Sequence, residues 1–246
     1  MAAKADPTFA NDLQTCFNEL KKHSVSYKLG QAQQTAGDEQ QNPLQAQFSS
    51  LLTKLEENLG QHNKHSPEYT KIISMKASII YEKAKILLSE NLLLESQTLL
   101  EEALEVIAEY SEHPQMAFLH MRIINHLTYV LCCLGHLQEA KELLIREIEN
   151  NGKSSPEVFS TDDLFQDIKK DPIISSSKLN RLYINNMQML AWIYARLGEI
   201  EQNLKMQHDI LQRQLDATND DALTWAQSCF RLGGIFVIYG DWPNAK

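Results

Sequence analysis

The sequence predicts an all-α fold built from antiparallel helix pairs. Three observations carry that expectation. Apolar residues recur with a 3.6-residue period along most of the chain, and no segment alternates apolar and polar residues over six positions. Only nine Gly and seven Pro among 246 residues leave little turn chemistry for a many-stranded β fold. A short glycine-containing phrase also recurs where such pairs would turn.

Taken in order, Phe9, Leu13, Phe17 and Leu20 stack on one helical face, with Asp6-Pro7 reading as N-cap and first-turn proline. Residues 30–43 turn Gln-rich and lose the apolar period, as a linker does. Phe48, Leu51, Leu52, Leu55 and Leu59 mark a second helix that Gly60 stops. A polar connector, 61–67, follows. Two long helices fill Glu68 to Tyr110, broken near Asn91. Met116–Leu134 and Leu137–Glu149 form the next pair, and Lys178–Leu197 and Ile200–Leu215 another. Between those pairs, residues 150–177 read as a Ser- and Asp-rich insertion. A further helix starts near Ala222. The expected organisation is therefore N-terminal helices over 1–60 and a stack of pairs over 61–246.

The phrase appears as Leu134-Gly135-His136-Leu137-Gln138-Glu139-Ala140, as Leu197-Gly198-Glu199-Ile200-Glu201-Gln202-Asn203 and as Gly240-Asp241-Trp242-Pro243-Asn244-Ala245. Asn91, Leu93 and Ser96 give a degraded copy. Twelve residues upstream of the last position in each copy stand Ala84, Thr128, Ala191 and Gly233, facing Ser96, Ala140, Asn203 and Ala245. Seven of these eight side chains are small, as two helices in a tight hairpin require at their point of closest approach. Around that point lie Ile124, Leu127 and Leu131; Met187, Leu190 and Tyr194; and Cys229, Leu232 and Phe236. Leu100 and Leu144 take the next core position of the second helix. This is tetratricopeptide spacing. The predicted architecture is a tetratricopeptide-like right-handed solenoid, each pair hiding its apolar stripe against its neighbours. The copies lie 44, 63 and 42 residues apart, against about 34 in the ideal repeat. Asn203 and Gln207 are polar where apolar residues are expected. The fourth copy lacks its covering helix, so the sequence reads as a fragment, truncated isoform or incomplete product of something longer.

In such a stack the first helix of each pair lines the concave groove. The groove positions are Arg122, Asn125, Tyr129 and Cys132 in the second pair and Asn185, Gln188, Trp192 and Arg196 in the third. Aromatic and Arg side chains are the usual anchors of protein interfaces. Seven Glu and no Lys or Arg fall between Ile86 and Met121, and Glu95, Glu102, Glu105 and Glu109 share one face. With a net charge of −9, the chain suits a basic protein partner and is a poor nonspecific binder of nucleic acid or anionic membrane.

Other chemistry finds no support. Gly152-Lys153-Ser154 mimics the tail of a phosphate-binding loop, but Glu147 stands where that loop needs Gly. Ser175 and Lys178 match a serine-nucleophile pair whose companion motifs are missing. His62 and His65 lie in a polar connector without further ligands. Cys16, Cys132, Cys133 and Cys229 form no disulfide framework or zinc spacing and read as reduced thiols of a cytosolic protein. The N-terminus lacks a signal-peptide core, and the longest apolar runs, Val130–Leu134 and Ile235–Tyr239, are too short to span a bilayer. Ser154, Ser155, Ser160 and Ser175–Ser177 are candidate phosphorylation sites. No catalytic residue, cofactor, metal or small-molecule substrate is expected.

The stretch Tyr183 to Leu215 goes beyond a generic repeat. It holds Tyr183-x-x-Asn186, Leu190-Ala191-x-Ile193-Tyr194, Leu197, Glu201 and Leu211-x-Arg213-Gln214-Leu215, followed by Trp225-Ala226, Leu232 and Phe236. This resembles the kinesin-binding protein family, also called KIF-binding protein. The resemblance extends more weakly to Leu13–Leu20, Phe48–Gly60 and the first two pairs. It covers most of the chain but only the N-terminal part of a family member. Gly198, Asn203 and Gln207 depart from the pattern. The resemblance implies a non-enzymatic cytoplasmic, cytoskeleton-associated scaffold that binds kinesin motor domains, blocks their attachment to microtubules and supports axon growth and organelle transport. The matching motifs are packing positions, so no contact residue is carried over. A tetratricopeptide adaptor for another protein, such as a chaperone or signalling partner, is the alternative.

Overall fold

The computed structural model describes residues 43–64, 66–110, 114–151, 176–216 and 222–240. The expected helix at Phe9–Leu20, the Gln-rich stretch to residue 42, nearly all of the insertion, His65 and residues 241–246 lie outside the described residues. Every regular element among the described residues is helical. They are α1 (Pro43–Leu59), α2 (Pro67–Ser89), α3 (Leu93–Ile107) with a 3-10 turn at Ala108–Tyr110, α4 (Pro114–Leu134), α5 (Leu137–Asn151), α6 (Ser176–Leu197), α7 (Ile200–Asp216) and α8 (Ala222–Ile238). The helix pairs expected from periodicity are thus present, their ends within two residues of expectation.

Local chemistry explains the boundaries. Ser66 caps α2 by accepting from the Tyr69 amide at 3.1 Å, and Pro67, which lacks an amide hydrogen, opens the helix. α2, α4 and α6 each end in one turn design. Asn91, Gly135 and Gly198 adopt positive φ angles of 63°, 85° and 76°. The next residue's amide then reaches back to a carbonyl five positions earlier: Leu92 to Leu87, His136 to Leu131 and Glu199 to Tyr194, each at 2.9 Å. This is the Schellman closure, which satisfies carbonyls that the helix end would leave open. Asn tolerates the left-handed conformation better than other side-chain-bearing residues, which is why the degraded copy still turns. Gly240 repeats the conformation at φ 76° after α8.

The hairpins close where the offset of twelve places them. Ser96 Oγ donates to the Ala84 carbonyl at 2.9 Å, a contact that only two closely apposed helices can make. Ala84, Ser96, Thr128, Ala140 and Ala191 are fully buried, and Asn203 nearly so. Leu100 and Leu144 are buried one turn further on, whereas Gln207 at the equivalent place is half-buried and Ile210 supplies the core contact. Asn203 is the poor fit. Its Oδ1 is buried and finds no hydrogen-bond partner among the described residues. Leaving a polar atom dry and unpaired costs about 1–3 kcal/mol. Asn203→Ala restores the small residue of the other copies and is expected to raise the stability of its hairpin by roughly 1 kcal/mol, readable as slower amide exchange in α6 and α7. Lower protection in the variant would contradict this account.

The described residues up to His126 form one compact unit and those from Leu127 onward another, α4 passing from the first to the second. In the first, α1 buries Phe48, Leu51 and Leu55 against Ile72, Met75, Ile79 and Ile86 of α2, and Lys76 pairs with Glu56 at 2.8 Å. In the second, Lys141 of α5 pairs with Glu199 in the α6–α7 turn at 2.8 Å. One expectation is corrected. α4 is long and apolar enough, over Met116–Leu134, to cross a bilayer by length and composition. The apolar count had stopped at polar residues such as Thr128 and Asn125. Met116, Leu119, Ile123, Leu127 and Val130 are buried within the protein, so the apolar character of α4 is that of a core helix.

Candidate interaction face

The residues that pack a hairpin also fix what its first helix shows outward. A residue one position after the close-approach residue is rotated about 100° from it. It therefore leaves the hairpin seam. Tyr129 follows Thr128 and Trp192 follows Ala191; they expose 50% and 48% of their surface, although each is a large aromatic on a helix whose other apolar residues are mostly buried. Full packing between pairs, the bland explanation for such aromatics, would have hidden them. Arg196, one turn beyond Trp192, is exposed and lies over its ring at 5.8 Å. Asn185 is exposed and Gln188 half-buried on the same helix. Tyr129, Asn185, Gln188, Trp192 and Arg196 belong to the second unit; Arg122 and Asn125 belong to the first.

In the first unit the surroundings of Arg122 are aromatic. Its guanidinium lies 5.2 Å from the Tyr81 ring centre and 5.7 Å from that of Phe118. Lys85 stands 5.2 Å from the same Tyr81 ring and forms an ion pair with buried Glu82. The Tyr81 hydroxyl and the Arg122 carbonyl oxygen each lie 3.1 Å from Nδ1 of His126. Both cations thus flank the buried Tyr81 ring, and Glu82 neutralises Lys85. Tyr81 and Lys85 stand at the repeat positions of the first pair that Asn125 and Tyr129 take in the second. The contact of Tyr81 with His126, 45 residues away, is a property of the packed fold.

The register also explains residues the sequence reading passed over. Counting from Gly233 as from Thr128 and Ala191, the outward positions of α8 are Phe230, Gly234 and Val237, and Phe230 is 83% exposed. The residues carrying the family resemblance behave differently. Tyr183, Asn186, Leu190, Ala191, Ile193 and Tyr194 are buried. The Tyr183 hydroxyl donates to the Ile148 carbonyl at 3.2 Å, and Arg213 stacks on the Tyr183 ring at 3.9 Å while bonding Asn180 at 2.7 Å. These residues hold α6 to its neighbours. Glu95, Glu102, Glu105 and Glu109 are all on α3 and the turn that follows, where Glu95, Glu102 and Glu109 are exposed or half-exposed to solvent.

Cys132, Cys133 and Cys229 are free thiols. Burial, helped by neighbouring Cys133, pushes the Cys132 thiol up to about 11. The thiolate is the reactive form. At pH 8 roughly one Cys132 in a thousand is ionised, so iodoacetamide is expected to leave it essentially unmodified. Its labelling rate rises about tenfold per pH unit until the thiol titrates. Rapid Cys132 alkylation at pH 8, located by peptide mass mapping, would contradict its burial. Among the described residues, no three His, Cys, Asp or Glu side chains come together as a metal site would need.

Fold and register together define the class: an all-α tetratricopeptide-like repeat protein. Solved structures agree. The chain is similar to a Podospora anserina kinesin light chain protein with nearly identical TPR-like repeats, at 14% identity and a TM-score of 0.55 over 96% of this chain and 90% of that one. A single-substitution variant of that same protein matches at 14% identity and TM-score 0.56, covering 98% and 92%. BtubC (BKLC) from P. vanneervenii matches at 13% identity and TM-score 0.52, covering 95% and 86%. No protein-family model and no curated protein matches the sequence.

Proposed function

We propose that this chain is a non-enzymatic, cytoplasmic and cytoskeleton-associated scaffold that binds kinesin motor domains and hinders their attachment to microtubules. The observation that carries the interaction reading is the pair of half-exposed aromatics, Tyr129 and Trp192, at the same repeat position of α4 and α6. Large aromatics kept in solvent at repeated positions are what a binding face needs and what packing alone does not. The motor reading adds two supports. One is the resemblance of Tyr183–Leu215 to the kinesin-binding protein family. The other is the net charge of −9 with exposed Glu on α3, complementary to the basic surface a motor offers its acidic track.

The test is a titration of purified kinesin motor domains against the chain, followed by microtubule co-sedimentation. Saturable binding that lowers the microtubule-bound fraction is the expected result. A folded chain that binds no motor domain overturns the motor reading and leaves the repeat fold untouched. The tetratricopeptide-like fold also supports a second reading, an adaptor for another protein such as a chaperone or signalling partner. Binding of a partner's peptide tail that requires its free C-terminal carboxylate would establish that alternative.

A further inference from the structure

α6 is a cationic helix in an acidic chain. It holds Lys178, Arg181 and Arg196 and no Asp or Glu, against a net charge of −9 for the whole sequence. The helices packed beside it differ: α5 carries four Glu, and α7 carries Glu201, Asp209 and Asp216. Arg181, Asn185, Gln188, Trp192 and Arg196 follow one another at intervals of three or four residues and share one side of α6. All are exposed except half-buried Gln188. Among the described residues, neither Arg forms an ion pair and neither amide a side-chain hydrogen bond. Exposed polar residues elsewhere pair along their own helix, Gln97 with Glu101 at 2.8 Å on α3 and Gln138 with Glu142 at 3.1 Å on α5. Arg213 of α7 is also engaged, with Tyr183 and Asn180. The α6 stripe is therefore set apart twice, by its single sign of charge and by polar groups that its own fold leaves unused.

We propose that this stripe binds an extended, acidic segment of a partner protein, two of whose carboxylates meet Arg181 and Arg196. The two Arg lie about 22 Å apart along the helix axis, a distance an extended chain covers in about seven residues. Guanidinium groups take carboxylates through paired hydrogen bonds. Between the two Arg, Asn185 and Gln188 each offer a donor and an acceptor, the set that matches a peptide's own carbonyl and amide groups. Trp192 stands about 6 Å from Arg196 and about 16 Å from Arg181 along the axis. It therefore takes an apolar side chain about two residues from one carboxylate and about five from the other. A nucleic-acid strand fits poorly, because it places a phosphate at about every 3.4 Å against two cations of a chain that is itself acidic. The proposal rests on α6 as a docking face, not on a motor as the partner. It adds that what meets α6 is acidic, the opposite of what the Glu-rich face of α3 suits.

NMR of the isotope-labelled full chain tests it, with the Trp192 indole signal assigned through Trp192→Phe. The probes are acetyl-Asp-Ser-Thr-Ser-Thr-Leu-Ser-Asp-amide and the same peptide in reverse order, whose blocked ends leave only side-chain carboxylates. The expected result is a saturable shift of the Trp192 signal with one of the two orders, weakened by added salt. Replacing both Asp of the peptide by Lys is expected to abolish it. Arg181→Ala and Arg196→Ala, both at exposed positions, are each expected to weaken binding about two- to fivefold, with circular dichroism checking the fold. Arg181→Ala is expected to have no effect on a peptide shortened to lack the Asp that Arg181 meets, which separates a placed contact from general charge attraction. The proposal is overturned if neither order shifts the signal, if the Lys peptide binds as well, or if the shortened peptide still senses Arg181→Ala. An eight-nucleotide oligouridine that moves the signal at lower concentration than the peptide overturns it too. Peptide binding by a chain that binds no motor domain upholds this proposal and removes the motor reading alone. Motor binding by a chain that ignores both peptides does the reverse.

Discussion

Ala84→Leu is expected to unlock the first hairpin. Ala84 is fully buried, and its carbonyl accepts from Ser96 Oγ at 2.9 Å, so α2 and α3 meet there with almost no side chain between them. Three added carbons have no space to enter. The helices must separate, which breaks the Ser96 bond and opens the packing of Leu100, Ala103 and Ile107, all buried on α3. Overpacking a tight core costs about 1–3 kcal/mol, occasionally more, and the lost bond to a buried carbonyl costs about 1 kcal/mol again. A destabilisation of about 2–4 kcal/mol follows, a factor of roughly thirty to nine hundred in the folded population of that hairpin. Amide exchange is the suitable readout because it reports α2 and α3 separately from the unit that begins at Leu127. Glu101→Leu, at an exposed position of α3, is the control and is expected to shift stability by less than about 0.5 kcal/mol. If Ala84→Leu leaves exchange in α2 and α3 unchanged, the close approach does not bear on stability as argued.

That prediction could be framed from sequence because small residues at a fixed offset from a left-handed turn have few other meanings. Asn91, Gly135 and Gly198 announce both where a helix ends and how the chain reverses, and the partner of each close contact then lies seven residues before and five after. The seam was therefore legible even in the degraded first copy. Tyr129 and Trp192, one residue from the seam, are exposed as their register predicts, whereas Arg122, Asn125 and Gln188 are only partly so. What pattern could not supply was pairing across distance. Nothing in the local sequence joins Tyr81 to His126, or shows that Glu82, three residues from its partner Lys85, is buried. Apolar-run counting failed on α4 because it is blind to the burial of scattered polar residues such as Thr128, which sit inside the hairpin. Phe230 was not singled out in the sequence, although the outward register of the other copies places it in solvent.

Trp192 gives the sharpest test of which face works. It is 48% exposed, so truncation to Ala removes a large contact surface without opening a buried cavity. If partner proteins dock on this face, a Trp at its centre is the residue most able to act as an anchor. In the motor-domain titration Trp192→Ala is expected to weaken binding about thirtyfold or more, the effect of losing roughly 2 kcal/mol. Arg196, which stacks on that ring at 5.8 Å, contributes by holding it. Arg196→Ala is expected to weaken binding about two- to fivefold, the scale of an exposed cation–π contact. The two losses should combine to less than their product, because removing the ring already removes what the guanidinium acts upon. Stability separates this from a structural role: Trp192→Ala is expected to leave the amide exchange of α6 near the wild-type pattern, whereas a packing residue would lower it. A variant that keeps full affinity, with α6 intact, moves the docking surface away from α6 and towards exposed Glu95, Glu102 and Glu109 on α3 and the turn after it, where Glu102→Lys then becomes the decisive substitution.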